Sequence, residues 1–351
     1  MSSVFEKLLN RILFSNYNGL PVSGSYAVKE AEVILIDRKR NDPFEKAGAP
    51  REVPVHLYYP ETEGTERFPL VIFSHGAFGF YKSNGSTYEE LASNGYVVAA
   101  LDHPHHAMFT KNSRGKRVIV SGAFMKSIRE MRPDLKAERQ YERYVEWMGI
   151  RTPDICFVID ELKAAAGKGE AGENWHVEKE NAGAIPTVLR LIDAASIGVM
   201  GHSMGGAAAV ETGRVRSDVS AVIDLDGTML GEYTGVENDT LTVREEPYTV
   251  PVLEFVNWEQ YNELKKDLSE GLRYPNDVLI RSAAEGFTTT LRDTKHMDFT
   301  DLPLASPFLG KKLGTGERDT AEALTIVNSL VLGFFDTYLK GEGEFRVDEI
   351  Y

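Results

Sequence analysis

The stretch Gly201-His202-Ser203-Met204-Gly205-Gly206 decides how this chain folds. An apolar run at residues 196–200 precedes it, and a run that favours helix follows it at 207–211. This context predicts a buried strand, a sharp turn and a helix, with a nucleophilic serine exposed at the turn. Glycines suit the positions around the serine, because the strand and helix backbones come so close that a Cβ atom would clash. The helix N-terminus also favours negative charge beside Ser203.

A nucleophilic serine needs a general base, and the histidines of the chain indicate which one. The sequence holds eight histidines, and His296 is the one that follows Ser203. When nucleophile, acid and base come in that order along a chain, the base must lie after the serine. His296 lies in a loop after the strand-like run 286–291, and a loop at a strand end can reach the turn at Ser203. We therefore predict His296 as the base.

The acid that would orient this histidine has several candidates. Residues 219–225 predict the strand after the helix, and Asp226 lies at its C-terminal end, the edge at which open α/β sheets place their sites. Asp224 is two residues earlier on the same face, where we expect it inside the sheet layer with partners of its own. Asn257 and Glu259, beyond the next strand, are further alternatives. Placement favours Asp226.

An early strand and its loop predict the remaining part of such a site. Residues 69–75 are strand-like, and the loop 76–79 that follows begins and ends with glycine. A backbone N–H from such a loop, together with the N–H of the residue after the nucleophile, can stabilise an oxyanion. We predict these donors to be Ala77 (or its neighbour Phe78) and Met204. The residues expected to line the substrate pocket are His75, Phe78, His103 and His202.

Eight strands are predicted, and helical runs alternate with the later six. The predicted strands cover residues 31–37, 53–59, 69–74, 96–101, 196–200, 219–225, 250–256 and 287–291. Unbroken apolar runs such as 70–73 indicate strands buried on both faces, so we expect a mostly parallel eight-stranded sheet with helices on both faces. A long helix is predicted over 134–163, with an interruption at Pro153.

Five segments carry a resemblance to a known family, the plasma-type platelet-activating-factor acetylhydrolases. They are Phe73-Ser-His-Gly-Ala-Phe-Gly79, Leu91-Ala-Ser-Asn-Gly-Tyr-Val-Val-Ala-Ala100, Gly201-His-Ser-Met-Gly-Gly206, Ile223-Asp-Leu-Asp-Gly-Thr-Met229 and His296-Met-Asp-Phe-Thr-Asp301. The resemblance covers roughly residues 50 to 340. Members of the family are serine-dependent, calcium-independent α/β-hydrolases that cleave short or oxidised acyl groups from phospholipids, and bacterial relatives include general esterases and polyester hydrolases.

This resemblance implies an α/β-hydrolase fold that needs no cofactor. It implies that Ser203 is the nucleophile, Asp226 the acid and His296 the base. It also implies that the amides of Ala77 and Met204 form the oxyanion hole. The stretch 104–146 and the first 50 residues match the family poorly, and we expect these regions to influence the choice of substrate.

One catalytic domain is expected at residues 31–351, after an N-terminal extension at 1–30. Insertions at about 103–135 and 167–190 would form a cap or lid, the second of them largely a solvated loop. The extension predicts an amphipathic helix that docks on the protein's own body or on a second subunit, or contacts a membrane surface. Charged residues interrupt the run of apolar residues in its sequence, so neither a signal peptide nor a membrane span is predicted and a cytoplasmic location is expected. The oligomeric state stays open.

Composition limits the classes of partner. The net charge of −14 argues against nucleic acid and against strong attraction to anionic membranes. The single cysteine, Cys156, excludes an intramolecular disulfide and lies in an apolar run typical of a core. His103, His105 and His106 resemble metal ligands by composition, but adjacent histidines splay apart and no downstream carboxylate completes a known spacing, so no metal is expected.

The sequence as a whole predicts a serine carboxylic-ester hydrolase that acts through an acyl-enzyme on a small-molecule ester or a lipid with a short acyl group. Polyester or cutinase-like activity is one alternative. A serine peptidase is another, although peptidases of the prolyl-oligopeptidase type place their acid much later and carry a large N-terminal domain. A catalytically inactive hydrolase fold used for binding is the third alternative.

Overall fold

The computed structural model of the chain describes residues 19–46 and 48–351. The amphipathic face predicted near the N-terminus, at residues 4–13, lies outside the described residues. Thirteen strands are present in the described part: β1 (Val28–Asn41), β2 (Pro50–Pro60), β3 (Phe68–Ser74), β4 (Val97–Leu101), β5 (Phe109–Lys111), β6 (Arg117–Ile119), β7 (Trp175–His176), β8 (Ile192–His202), β9 (Ala221–Leu225), β10 (Tyr233–Glu237), β11 (Thr240–Val243), β12 (Val252–Asn257) and β13 (Gly286–Leu291).

A nine-stranded sheet with the order β13-β12-β9-β8-β3-β4-β2-β1-β7 forms the centre of the molecule. The six strands from β13 to β4 are parallel to one another, and β2, β1 and β7 continue the sheet antiparallel. Two small hairpins, β5-β6 and β10-β11, lie outside it. The predicted mostly parallel sheet, and with it the α/β-hydrolase fold, is confirmed.

The prediction of eight strands was one too few. The ninth strand, β7, lies in the second insertion, which the sequence predicted to be largely a solvated loop. It pairs Trp175 with Leu35 and His176 with Ile34 at the edge of the sheet, and the Trp175 indole N–H donates to Glu161 Oε2 at 3.0 Å. A strand of two residues is too short to show a period of its own in the sequence, so its pairing depends on tertiary contacts.

Ten α-helices cover the sheet in the described part of the chain. They are α1 (Gly85–Ser93), α2 (Gly122–Glu130), α3 (Ala137–Ala166), α4 (Ala184–Leu191), α5 (Met204–Val215), α6 (Trp258–Ser269), α7 (Pro275–Ser282), α8 (Leu302–Ala305), α9 (Pro307–Leu313) and α10 (Thr320–Phe335). Within the described residues, every helix lacks the combination of length and apolar character that crossing a bilayer requires.

The predicted interruption of the long helix at Pro153 was wrong, because α3 runs through this residue without a break. A proline inside a helix costs about 3 kcal/mol. The two turns that follow bury four aliphatic side chains completely, and each such side chain contributes about 1.5–3 kcal/mol. These side chains are Ile155, Val158, Ile159 and Leu162. Their burial outweighs the lost hydrogen bond, so the helix continues.

The hydrophobic core lies on both faces of the sheet. Helices α3, α4 and α5 pack on one face, and α1 and α10 pack on the other. Strand β3 contributes side chains to the core on each face. Leu70 and Ile72 belong to the first core and Val71 and Phe73 to the second, and all four are fully buried. An unbroken apolar run is therefore required at this strand.

The turn between β8 and α5 brings three backbones into close contact. A Cβ atom on Gly205 would lie 1.9 Å from Ser74 O, and one on Gly201 would lie 2.5 Å from the same oxygen. A Cβ atom on Gly206 would lie 1.8 Å from Asp224 Oδ1. Backbone carbonyls cannot swing aside as flexible side chains do, so glycine is required where α5 begins against β3.

We expect Gly205→Ala to lower the free energy of unfolding by at least about 3 kcal/mol, because backbone atoms of β3 must shift to admit the methyl group. Gly149→Ala is the matched control: Gly149 is helical in α3, and a Cβ atom there meets no atom within 4 Å. The control substitution should stabilise the protein by up to about 1 kcal/mol. Urea denaturation of both variants measures the difference, and equal effects would contradict the proposed clash.

Candidate active site

Ser203 lies at the turn with a backbone conformation that is rare for a residue with a side chain. Its φ is 56° and its ψ is −125°, and such strain costs on the order of 1–3 kcal/mol. Two hydrogen bonds hold it: Ser203 N donates to Leu225 O at 2.8 Å, and Ala207 N donates to Ser203 O at 3.0 Å. The serine is thereby fixed at the N-terminus of α5 with its side chain half-buried.

His296 and Asp226 meet at the C-terminal edge of the sheet. His296 begins the 3-10 turn His296–Phe299 after β13, and Asp226 follows β9 directly. The two side chains are joined by a hydrogen bond of 2.6 Å between His296 Nδ1 and Asp226 Oδ2. The carboxylate can only accept, so Nδ1 carries the proton and Nε2 is left as an acceptor. The Asp226 side chain is fully buried, whereas the His296 side chain is 44% exposed.

Asn257, which the sequence offered as an alternative acid, instead supports Asp226. Its backbone N–H donates to Asp226 Oδ1 at 2.6 Å, and its side-chain amide donates to both carboxylate oxygens at 2.9 and 3.1 Å. The Asn257 side-chain oxygen accepts from Gln260 N at 3.0 Å at the start of α6, which orients the amide nitrogen towards Asp226. The other alternative, Glu259, is exposed and pairs with Lys295 at 3.2 Å.

Asp224 lies in a different environment although it is two residues from Asp226. It is fully buried under α5, and one carboxyl oxygen accepts from Gly227 N at 2.9 Å. The other oxygen has no hydrogen-bond partner within the described residues. Burial, with the neighbouring Glu254 and Asp226, raises the pKa of Asp224 well above its ordinary value. The structure therefore brings Asp226, and not Asp224, to His296.

The glycine loop after β3 lies against the turn at Ser203. A Cβ atom on Gly76 would lie 3.3 Å from Ser203 Cβ. Phe78 N donates to His106 O at 3.1 Å, so this amide is already engaged. Within residues 19–46 and 48–351, Ala77 N makes no hydrogen bond, and Met204 N, as the first N–H of α5, has no intrahelical acceptor. Of the two alternatives in the loop, the Ala77 amide is the one available to a ligand.

His202, predicted to line the pocket, connects the turn to the histidine loop. Its Nε2 donates to the backbone oxygen of His296 at 3.1 Å, and the two rings are 4.6 Å apart. Burial, together with the nearby His296, lowers the pKa of His202 to about 3. A neutral ring protonated at Nε2 therefore holds the His296 backbone in place.

His75 and His103, also predicted to line the pocket, are fully buried behind the glycine loop. His75 Nδ1 donates to Gly76 O at 2.6 Å, and its Nε2 accepts from His103 N at 3.2 Å. His103 accepts from Ser74 Oγ at 2.8 Å and donates to Asp154 Oδ2 at 3.0 Å. Both imidazoles are thus enclosed in the scaffold. Phe78 is half-buried beside Phe124, at 5.4 Å between ring centroids, and its pocket position stays a prediction.

The three histidines after β4 are engaged in hydrogen bonds and stacking. His106 stacks on Phe124 at 3.8 Å between ring centroids, and His105 stacks on Phe44 at 4.9 Å. Burial lowers the pKa of His103 to about 4, although its hydrogen bond to Asp154 acts in the opposite direction. In the described part of the chain, no group of three or more His, Cys, Asp or Glu side chains is arranged to hold a metal ion.

A small cavity of about 110 Å³ opens beside Asp226. Its lining includes Asp226, Gly227, Thr228, Tyr233, Glu254, Phe255, Val256, Gln260, Leu264, Tyr274 and Asn276. Pockets for drug-sized ligands measure roughly 300–1,000 Å³. The space next to Asp226 therefore suits a group of only a few atoms.

Glu254, in β12, is the buried neighbour of Asp224 in the sheet register. It accepts hydrogen bonds from the Asn276 amide and from Thr288 Oγ1, and burial raises its pKa from 4.5 to about 7. Between these two values the folded chain keeps a proton that the unfolded chain releases, so this group's contribution to stability is lost as pH rises.

We expect Glu254→Gln to remove that loss, because the amide cannot ionise. Between pH 4 and pH 8, the free energy of unfolding of the variant should increase relative to that of the wild type by up to about 3 kcal/mol. Denaturant unfolding across this pH range measures it. The exposed Glu259→Gln serves as control and should follow the wild type. A parallel pH dependence of wild type and Glu254→Gln would contradict the assignment.

Comparison with known proteins places the chain in a family. The sequence model of platelet-activating factor acetylhydrolase, isoform II, matches residues 49–349. Platelet-activating factor acetylhydrolase of Gallus gallus is 26% identical over 297 residues, which are 80% of this chain and 64% of that protein. The Bos taurus protein of the same name is 24% identical over 294 residues, with 80% and 59% covered. The probable 1-alkyl-2-acetylglycerophosphocholine esterase of Arthroderma benhamiae is 23% identical, with 82% and 65% covered.

The chain spans about 60% of the length of the curated relatives it matches. Among solved structures, a ferulic acid esterase from Streptomyces cinnamoneus superposes with a TM-score of 0.65 at 21% identity, covering 92% of this chain and 93% of that one. This structural likeness supports the α/β-hydrolase fold. Because the family pattern extends over most of the chain, the protein belongs to the platelet-activating factor acetylhydrolase, isoform II, family.

Proposed function

We propose that this protein is a serine carboxylic-ester hydrolase that uses Ser203 as nucleophile, His296 as base and Asp226 as acid. The 2.6 Å hydrogen bond from His296 Nδ1 to the buried Asp226 carries the proposal. It leaves Nε2 as an acceptor for a hydroxyl proton and supplies a negative charge that stabilises the imidazolium.

The reaction runs in two acyl-transfer steps. Ser203 Oγ attacks the ester carbonyl carbon while His296 Nε2 takes the hydroxyl proton, and the carbonyl oxygen becomes an oxyanion. The amides of Ala77 and Met204 donate hydrogen bonds to that oxyanion. The tetrahedral intermediate collapses, the C–O bond to the alcohol breaks, and His296 returns the proton to the leaving oxygen. Water, deprotonated by His296, then releases the acid from Ser203 by the same route.

Short acyl groups are the proposed substrates. The family relatives in Gallus gallus and Bos taurus are named acetylhydrolases, and the cavity beside Asp226 holds about 110 Å³. A long acyl chain would exceed such a space, whereas an acetyl or butyryl group would not. The alcohol part of the ester, whether a lysophospholipid or a simpler alcohol, is not specified by these contacts.

Ser203→Ala should lower the hydrolysis of p-nitrophenyl butyrate by about 10⁴-fold or more, because the acyl-enzyme cannot form. Asp226→Asn should lower kcat by about 10³- to 10⁴-fold, because the amide favours the wrong imidazole tautomer. Asp224→Asn is the matched control two residues earlier and should change kcat by less than about tenfold, because burial raises the pKa of this carboxyl and so favours its neutral form, which the amide resembles. Steady-state kinetics on the three variants checks the ranking.

Thermal unfolding confirms whether each variant is folded, and a fluorophosphonate probe reports the nucleophile directly. The probe should label the wild type at Ser203 and fail to label Ser203→Ala. An undiminished rate in Ser203→Ala would overturn the proposed mechanism. A larger loss in Asp224→Asn than in Asp226→Asn, with both folded, would transfer the role of acid to Asp224.

The proposed acyl preference predicts a falling profile across p-nitrophenyl esters of two to twelve carbons. We expect kcat/KM to be greatest at two to four carbons and to fall by about tenfold or more at eight, because longer chains do not fit the space of about 110 Å³ beside Asp226. Every ester is assayed below its critical micelle concentration. A flat or rising profile would contradict the short-acyl preference while leaving the triad untouched.

A further inference from the structure

A fully buried arginine lies directly behind the glycine loop that carries Ala77. Arg151 projects from α3, and its guanidinium donates to the backbone oxygen of His75 and, at 3.3 Å, to that of Gly76. Its Nε is 3.3 Å from His106 Nδ1. All three contacts are to the loops that follow β3 and β4. The arginine therefore fixes loop backbone at the edge where the proposed reaction takes place.

The geometry of one peptide group links this arginine to the proposed oxyanion hole. The Gly76 carbonyl and the Ala77 N–H belong to the same peptide, and in a trans peptide the two groups point in opposite directions. Gly76 O accepts from Arg151 at 3.3 Å, from Gly79 N at 3.1 Å and from His75 Nδ1 at 2.6 Å, and of these donors Arg151 is the one that comes from α3. The Ala77 N–H is consequently directed away from α3. Donation to the carbonyl also polarises the amide and strengthens its N–H as a donor.

The carboxylate of Asp154, which lies near Arg151 on α3, is paired with other groups. Asp154, one turn further along α3, is bound by Arg51 at 2.7 Å, by Arg40 at 2.9 Å and by His103 at 3.0 Å. Burial lowers the pKa of Arg151 to about 9, against the attraction of Asp154. The guanidinium is therefore charged at neutral pH, and its hydrogen bonds go to backbone carbonyls instead of a carboxylate.

We propose that Arg151 is a positioning residue for the oxyanion hole: it holds the His75 and Gly76 carbonyls so that the Ala77 N–H points at the developing oxyanion. The inference rests on the proposed function, because it presupposes that the Ala77 amide binds the oxyanion. Arg151 does not touch the substrate. It acts through the loop, so its substitution should weaken the stabilisation of the transition state more than the binding of the substrate.

The test uses Arg151→Met, Arg151→Lys and the control Arg143→Met. Arg143 lies two turns earlier on α3 and pairs with Glu130 and Glu146 near the surface. With p-nitrophenyl butyrate, Arg151→Met should lower kcat by about 100-fold, the loss typical of one missing oxyanion donor, with KM changed by less than about threefold. Arg151→Lys keeps the charge but cannot span both carbonyls, so it should lie between. Arg143→Met should match the wild type.

A second readout separates this role from a general structural one. A trifluoromethyl ketone forms a tetrahedral oxyanion adduct with a catalytic serine, so its inhibition constant should rise by about the same factor as kcat falls in each Arg151 variant. The acid limb of the kcat/KM profile against pH, which reports the base, should stay in place. Thermal unfolding of each variant establishes that it is folded.

Wild-type kcat and wild-type ketone affinity in a folded Arg151→Lys and a folded Arg151→Met would overturn the inference. Loss of the fold in both variants would assign Arg151 to the scaffold and also overturn it. If only Arg151→Met fails to fold, the kinetics of Arg151→Lys decide. Ser203→Ala distinguishes the two levels: an active Ser203→Ala refutes the proposed function itself, whereas an inactive one beside unimpaired Arg151 variants refutes only the role of Arg151.

Discussion

The close approach of β3, β8 and α5 at the turn around Ser203 is the constraint on which the rest of the structure depends. Glycine at 201, 205 and 206 lets the N-terminus of α5 lie against the end of β3, within contact of Ser74 O and Asp224. This approach brings the loop after β3, the serine at positive φ and the end of β9 into one small volume. The proposed oxyanion hole, with the amides of Ala77 and Met204, depends on this approach.

A second layer of polar contacts behind the sheet edge explains why the loops can hold their shape. Asp154 is a fully buried carboxylate, and an isolated one would be very costly. Burial alone would raise its pKa, but Arg51 and His103 hold it well below its ordinary range. Arg51 also reaches the backbone oxygen of Pro104 at 3.2 Å. The buried charge thus joins β2 to α3 and to the loop after β4, and that loop in turn accepts the N–H of Phe78.

Local patterns were sufficient to predict most of the fold and to name Asp226 and His296, which the structure joins by a hydrogen bond. The unbroken apolar runs gave strands because both faces of the sheet are covered, and the glycine spacing marked the turn at Ser203. Features that depend on contacts between residues far apart in the sequence could not be predicted. Asn257 carries no signal that it would bind Asp226, and a buried Arg151 reads in the sequence as an ordinary helical arginine. The strand Trp175–His176 and the continuity of α3 at Pro153 likewise depend on packing against other elements.

Asp226, Asp224 and Glu254 all carry a carboxyl group, but their different environments give these groups different properties. Asp224 on β9 and Glu254 on β12 are paired in the sheet register, and Asp226 follows β9 directly. Regular strand geometry would put Asp224 and Asp226 on the same face, but Asp226 has a φ of 59° and leaves the strand. It gains the Asn257 donors and His296, whereas Asp224 remains in the sheet layer with a single donor. Burial raises the pKa of both Asp224 and Glu254, so the carboxyls beside Asp226 tend to be neutral. In the proposed mechanism, neutral neighbours would not oppose the negative charge of Asp226 that stabilises the imidazolium of His296.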